Sequence, residues 1–305
     1  MKTQTYLLIF SALLLTLQLA GCEFAAVAPT AQQTTSPPMG GGSGWIGYVS
    51  SRDDNYDLYM MKLGGSEEIS LTNDPARENS ILFSPEGSKI AFVSDLIGNA
   101  EVFVMNTDGN HMTNLTNNLA EDWPYAWSPD GTELAITSDR DGNSEVYILP
   151  LDGSDPIRLT NSPEDDLCPR GWSPDGRQIA WTVDDEIFVM KADGSEPRQL
   201  TFNSRPDLCP TWSPDGSKIA FYSARNGNFE IYMMNPDGSD PVRLTNSPAS
   251  DKDPAWSPDN RWIAFSSQRD GNLELYALDV QSGELIRLTD NETQEFSPSW
   301  QPALP

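Results

Sequence analysis

A motif reading Trp-Ser-Pro-Asp-Gly, or a close variant, recurs at a nearly constant interval, starting at Phe83, Trp127, Trp172, Trp212, Trp256 and Trp300. The steps are 44, 45, 40, 44 and 44 residues. A period of about 40–45 residues with an aromatic anchor and a turn signal in each unit is the signature of a propeller array. One small β-unit is repeated until a ring closes, so the chain is expected to be all-β. The repeat itself supplies no catalytic centre, because function sits in sites grafted onto a fold.

The unit around Pro210 shows the pattern. Pro210 to Ser213 reads as a short inner strand, and Pro214-Asp215-Gly216 as a turn. Lys218 to Ser223 alternates, with Ile219 and Phe221 on one face and Ala220 and Tyr222 on the other. Asn226-Gly227 marks a hairpin, Glu230 to Met234 a third strand, and Pro241 to Thr245 a half-polar edge strand. Four short antiparallel strands make one blade. Leu-Thr recurs at Leu71, Leu115, Leu159, Leu200, Leu244 and Leu288, which gives six units. The 40-residue step reflects a deletion in the hairpin at Val183-Asp184-Asp185. Trp45 to Thr72 lacks an inner strand, and Phe296 to Gln301 is an inner strand with nothing after it. The last strand is therefore expected to complete the first blade and close a six-bladed ring.

The N-terminal segment reads differently. Lys2 followed by the apolar run Tyr6 to Leu19 reads as a secretory signal over residues 1–21, too short for a membrane span. Leu19-Ala20-Gly21-Cys22 resembles a lipobox, which implies cleavage before Cys22 and a diacylglycerol on its sulfur. Residues 22–44, rich in Ala, Thr, Pro, Gly and Ser, then form a tether spanning about 25 Å root-mean-square. Residues 45–305 form the propeller. The formal charge of −26 repels phosphate backbones and anionic headgroups, which argues against nucleic acid and leaves membrane contact to the anchor. A monomer is expected, outside the cytoplasm, with basic proteins or metal cations as the easier partners.

The succession Trp-Ser-Pro-Asp-Gly, Ile-Ala-Phe, Glu-Ile-Tyr-Met, Asp-Gly-Ser, Arg-Leu-Thr resembles the repeat of the TolB-type β-propellers, over residues 45–301. The resemblance implies a six-bladed propeller of the bacterial envelope that binds a partner at the mouth of its channel. The sequence shows no α/β domain ahead of the propeller, so coupling to inner-membrane Tol proteins is not implied.

Six acids precede the inner strands by five or six residues from the anchor aromatic: Glu78, Glu121, Asp166, Asp207, Asp251 and Glu295. In a propeller they would surround one channel mouth, focus a negative potential, and offer oxygen ligands to Ca²⁺ or Mg²⁺ or to a partner's Lys or Arg. The competing reading is that they cap and solubilise loops. Trp123, beside Glu121, is either a binding anchor or plain packing. Trp181 and Trp262 fall in second strands and should pack between blades. Cys168 and Cys209 occupy matching Asp-Leu-Cys-Pro positions in adjacent blades, and a disulfide or two free thiols are equally open. Asp139 to Asn143 and Arg269 to Asn272 read as hairpin turns, lacking the EF-hand spacing. The single histidine, His111, lies in an outer turn, and no nucleophile–base–acid set is evident, so no catalytic residue is assigned. The leading expectation is a lipid-anchored scaffold that binds an envelope protein or peptide. The alternatives are a metal-dependent lyase or hydrolase on polysaccharide, and a glycan-binding module.

Overall fold

The computed structural model describes residues 41–303 apart from 53, 54, 65 and 66. The signal segment, Cys22 and the tether up to residue 40 lie outside the described residues.

The local rule that builds each blade is visible at Ser213. Its hydroxyl donates to Asp215 Oδ1 at 2.6 Å and accepts the Lys218 N–H at 3.0 Å. Gly216 takes a left-handed φ of 72°, and its N–H closes the turn onto Ser213 O at 2.8 Å. The chain thus reverses between the inner strand Asp207–Trp212 and the second strand Ile219–Ser223. Glu230–Met234 and Val242–Arg243 complete blade 5. The inner strand begins at Asp207, three residues earlier than expected, because the ladder resumes beyond a bulge between Leu208 and Thr211. The edge strand is only two residues long, which limits edge pairing with other chains.

The described residues form six such four-stranded antiparallel sheets and no helix. Blades 2, 3, 4 and 6 open with inner strands Glu78–Phe83, Asp122–Trp127, Asp166–Trp172 and Asp251–Trp256. Blade 1 combines Trp45–Ser50, Asp57–Lys62 and Glu68–Ser70 with the C-terminal strand Glu295–Trp300, as expected. Closure pairs Ile46 with Trp300 and Ser50 with Glu295. Gln301 reinforces it. Its backbone N–H donates to Trp45 O at 3.1 Å, and its amide donates to Gly87 O in blade 2 at 2.8 Å.

The core lies between blades. Ile219 and Phe221 pack with Ile187 and Val189 of blade 4, whereas Ala220 packs with Ile263 and Phe265 of blade 6. Period-2 alternation thus sends each face of a blade to a different neighbour. The anchor aromatics end the inner strands and reach back to the preceding blade. Trp127 Nε1 donates to Leu82 O at 3.0 Å, and Trp300 Nε1 to Ala255 O at 3.1 Å. Trp181 and Trp262 sit in inter-blade clusters, as expected.

Because blade 1 has no other inner strand, removing residues 295–305 leaves the Trp45–Ser50 edge and the cluster around Trp262 uncovered. The truncated chain is expected to lose cooperative thermal unfolding. A transition by circular dichroism as sharp as the parent's would show that closure is dispensable.

Candidate functional site at the channel mouth

The inner strands begin on the face that carries the blade-to-blade loops and the hairpins between second and third strands. The first inner-strand residue is an acid in every blade: Glu78, Asp122, Asp166, Asp207, Asp251 and Glu295, none more than 1% exposed. Five are the acids singled out in the sequence. In blade 3 the residue is Asp122, and Glu121 is an exposed neighbour whose carboxylate accepts the Ala100 N–H at 3.0 Å. Counting back from proline misplaces this unit, because Pro124 stands one position closer to the strand start than Pro210 does. A better ruler was available: each buried acid lies seven residues after the leucine of Leu-Thr.

These carboxylates do not face the mouth; they are drawn into the blade junctions. The arginine of the second hairpin clamps them: Arg140 to Asp122 at 2.9 Å, Arg225 to Asp207 at 2.6 Å and Arg269 to Asp251 at 2.7 Å. Arg52 lies 3.8 Å from Glu295. Each guanidinium also covers a third-strand tyrosine ring, at 4.2 to 4.9 Å for Tyr59, Tyr147, Tyr232 and Tyr276. A second acid opens the third strand. Glu230 accepts from Thr245 Oγ1 at 2.6 Å, Arg243 at 2.6 Å and the Ser247 N–H at 2.8 Å. Burial pushes Glu230 up, but these donors outweigh it and hold its carboxyl below the usual range. Burial pushes Asp251 and Asp166 up. The connecting loop bridges the two acids. Ser162 donates its N–H to Glu145 at 3.1 Å and its hydroxyl to Asp166 at 2.8 Å.

Two blades depart from this scheme. Blade 4, whose hairpin is cut to Asp184-Asp185, has no arginine there, and Trp181 Nε1 donates to Asp166 at 2.7 Å instead. Blade 2 has Leu96 in the arginine position. Glu78 then accepts from Ser94 Oγ at 2.9 Å with no guanidinium beside it; its Oε2 is buried without a hydrogen bond, as are Asp207 Oδ1, Asp251 Oδ1 and Glu295 Oε2. Burial raises its pKa to about 7.

The mouth itself is lined by other side chains. Between blades 6 and 1 lies a cavity of about 330 Å³ bounded by Tyr56, Lys252, Asp253, Gln268, Gln294 and Phe296. Tyr56 and Phe296 meet edge-to-face at 5.5 Å, and Lys252 Nζ sits 4.8 Å from the Phe229 ring. Asp253 pairs loosely, at 3.9 Å, with Arg170 of blade 4. Arg170 is the extra residue that gives the 45-residue step, in a bulge between Leu167 and Gly171. Gly171 permits that bulge, since a Cβ there would meet Ala180 Cβ at 2.7 Å. Sequence reading missed Arg170 and Asp253, although the one-residue excess between Asp166 and Trp172 signals the first. Trp123 is partly exposed, next to Asp122 at the strand start. Cys168 and Cys209 are disulfide-bonded, Cα–Cα 4.9 Å, and join the inner strands of blades 4 and 5. His111 is exposed in an outer turn. Among the described residues no group of three or more His, Cys, Asp or Glu side chains is placed to hold a metal ion.

The family model of the TolB beta propeller domain matches residues 122–208 and 206–303. Among solved structures, TolB from Acinetobacter baumannii superposes with a TM-score of 0.73 at 21% identity, over 85% of this chain and 67% of that one. A putative TolB from Agrobacterium tumefaciens gives 0.68 at 23%, over 85% and 95%. A chain of the nidogen/laminin complex gives 0.68 at 13%, over 84% and 98%. At these identities the likenesses show the fold alone. Comparison with curated protein sequences gives no match.

The position of Glu78 has a pH signature. An unfolded glutamate loses its proton near 4.5 and the folded one near 7, so the native state binds the extra proton in that window. Stability falls as pH rises through it, and the penalty is complete above pH 7. Glu78→Gln is expected to be more stable than the parent at pH 8 by about 1–3 kcal/mol, and to converge with it below pH 4.5. Urea denaturation at both pH values checks this. Equal stability at pH 8 would show that the ionised carboxylate is fully compensated.

Proposed function

Because the chain belongs to the TolB beta propeller domain family, we propose that it is a binding scaffold of the cell envelope that seats a protein segment or peptide at its channel mouth. The observation that carries this reading is the cavity between blades 6 and 1. Its aromatic pair offers apolar area with a defined edge, and its glutamines offer hydrogen bonds beside it. That mixture of an apolar wall and a few polar groups suits a peptide side chain and its backbone. Asp253 supplies the charge. Its contact with Arg170 is long, at 3.9 Å, which leaves its carboxylate free to accept a partner's Lys or Arg. The net charge of −26 favours basic partners for the chain as a whole. Trp123 extends the surface onto blade 3, and the shortened hairpin lowers the rim at blade 4, so that a bound segment can leave the mouth there. A protein complex in which one chain shares this fold, nidogen/laminin, agrees with a binding role.

The lipobox-like Leu19 to Cys22 supports a scaffold anchored to a membrane and facing away from the cytoplasm. Cys22→Ser is expected to move the protein from the membrane fraction to the soluble one. Retention on the membrane would remove the anchor from this reading.

The site is tested by cross-linking in the native cells, capture, and mass spectrometry of the parent and the Asp253→Asn/Phe296→Ala variant. The partner recovered with the parent is expected to fall at least about tenfold with the variant, the equivalent of one lost hot-spot contact. Undiminished recovery from a variant that unfolds like the parent would move the site elsewhere.

A further inference from the structure

The six repeats serve as controls for one another, and blade 2 departs from the others three times on one face. At the hairpin tip, blades 1, 3, 5 and 6 have Arg52, Arg140, Arg225 and Arg269 followed by Asp or Asn; blade 2 has Leu96-Ile97. In the loop to the next blade, where Pro75, Pro163, Pro248, Ser204 and Glu292 stand elsewhere, blade 2 has Leu119. The three side chains are 46%, 51% and 99% exposed. The two loops that carry them are tied together. Asn99 donates to Ala120 O at 2.6 Å and Asn118 O at 3.3 Å, and Ala100 N–H donates to Glu121 at 3.0 Å.

The change works against the fold. Leu96 removes the cation from the junction and leaves Glu78 buried with Ser94 Oγ as its donor and no guanidinium beside it, while two apolar side chains turn to water. Among the described residues neither side chain joins a hydrophobic cluster of the blades. An apolar group held in solvent at the expense of a buried ion pair points to something outside the chain.

We propose that the tip of blade 2 is a second docking surface, distinct from the channel mouth, for a protein segment whose apolar side chains are flanked by Lys or Arg. The charge around it selects that partner. Asp95 and Glu121 stand exposed at the feet of the two loops, with Asp139 beside them, in a chain of net charge −26. A second copy would bring the same acidic rim against itself, and anionic lipid is repelled in the same way.

The test uses the full chain and two labelled amphipathic helical peptides, one of Leu and Lys and one of Leu and Glu, by fluorescence anisotropy at 0.15 M NaCl. The Leu–Lys peptide is expected to bind the parent at least about tenfold more tightly than the Leu–Glu peptide. It is also expected to bind at least about tenfold more tightly than to the Leu96→Arg/Ile97→Asp variant, a loss of about 1.4 kcal/mol. That variant restores the repeat and leaves the net charge unchanged, so a non-specific attraction would persist in it. Leu119→Ser, which leaves the surroundings of Glu78 untouched, is expected to weaken binding in the same direction. Unaltered affinity in the double variant, or equal affinity for the two peptides, overturns the proposal. So does a dimer in sedimentation, or binding to phosphatidylcholine vesicles, that the double variant abolishes, since the surface would then belong to a second copy or to lipid.

Discussion

A carboxylate buried at every blade junction is the constraint on which this ring depends. An ionised group out of water must find donors close by or remain neutral. The donors here come from three elements at once: the Arg of the same blade's hairpin, the hydroxyl of the second strand, and the loop arriving from the blade before. At Glu295 these are Arg52 at 3.8 Å, Ser50 Oγ at 2.9 Å and Thr293 Oγ1 at 2.8 Å. The acid therefore fixes the angle between neighbouring blades through hydrogen bonds, whereas the aliphatic faces alone would tolerate sliding. The opposite face of the ring carries the Ser-Pro-Asp-Gly turns, whose serine hydroxyls bond within two to five residues, and neighbouring turns meet there through bonds such as Asp215 N–H to Asn260 Oδ1 at 2.9 Å.

The inner strands solve a second problem, that of turning a blade's edge toward the central axis. Their third residue takes a left-handed φ in five blades: Ser80, Cys168, Cys209, Asp253 and Ser297, at 48° to 55°. Such a bulge frees a backbone N–H, which the neighbouring blade then accepts. Cys209 N–H donates to Thr182 Oγ1 at 3.0 Å, and Ser297 N–H to Ser266 Oγ at 3.3 Å. Pro124 cannot take that φ, and in blade 3 the register breaks one residue later, between Pro124 and Ala126. The bulge positions are also where the chemistry of the channel resides, the disulfide in blades 4 and 5 and Asp253 in blade 6. The backbone device that shapes the ring thus decides which side chains line it.

This explains what the sequence could and could not convey. Period, alternation and closure depend on local patterns that survive translation into space: Ile219 and Phe221 face one neighbour because strands alternate, whatever the neighbour is. The exchange of Glu121 for Asp122 has a different origin. A bulge shifts register by one residue, and two landmarks, proline and Leu-Thr, then disagree about the strand start. The fate of the six acids was illegible for another reason. Charge patterning places carboxylates on a face, but whether they look outward or into a junction depends on arginines about 18 residues away in sequence, whose clamp is formed only in the folded blade. Arg170 is intermediate. Its insertion is countable, yet its reach from blade 4 to Asp253 of blade 6 follows from ring closure.

The repeat also separates folding from binding within one molecule. Where a blade keeps the Arg–acid–Tyr arrangement, its hairpin is committed to the junction. Where a blade gives it up, it does so in one of two ways. Blade 4 shortens the hairpin and substitutes an indole N–H, so the carboxylate keeps a strong donor and the loop no longer overhangs the mouth. Blade 2 keeps the hairpin at full length, replaces the cation with leucine, and leaves the acid held by a serine hydroxyl. The first change is balanced within the blade and the second is not. Blades 3, 5 and 6 each bond a guanidinium to the acid, so the missing cation at Glu78 is measured against the chain itself and not against a general expectation for buried acids. The departure falls on the face where the loops and the mouth already are, so the side chains that replace the clamp stand where a partner can reach them.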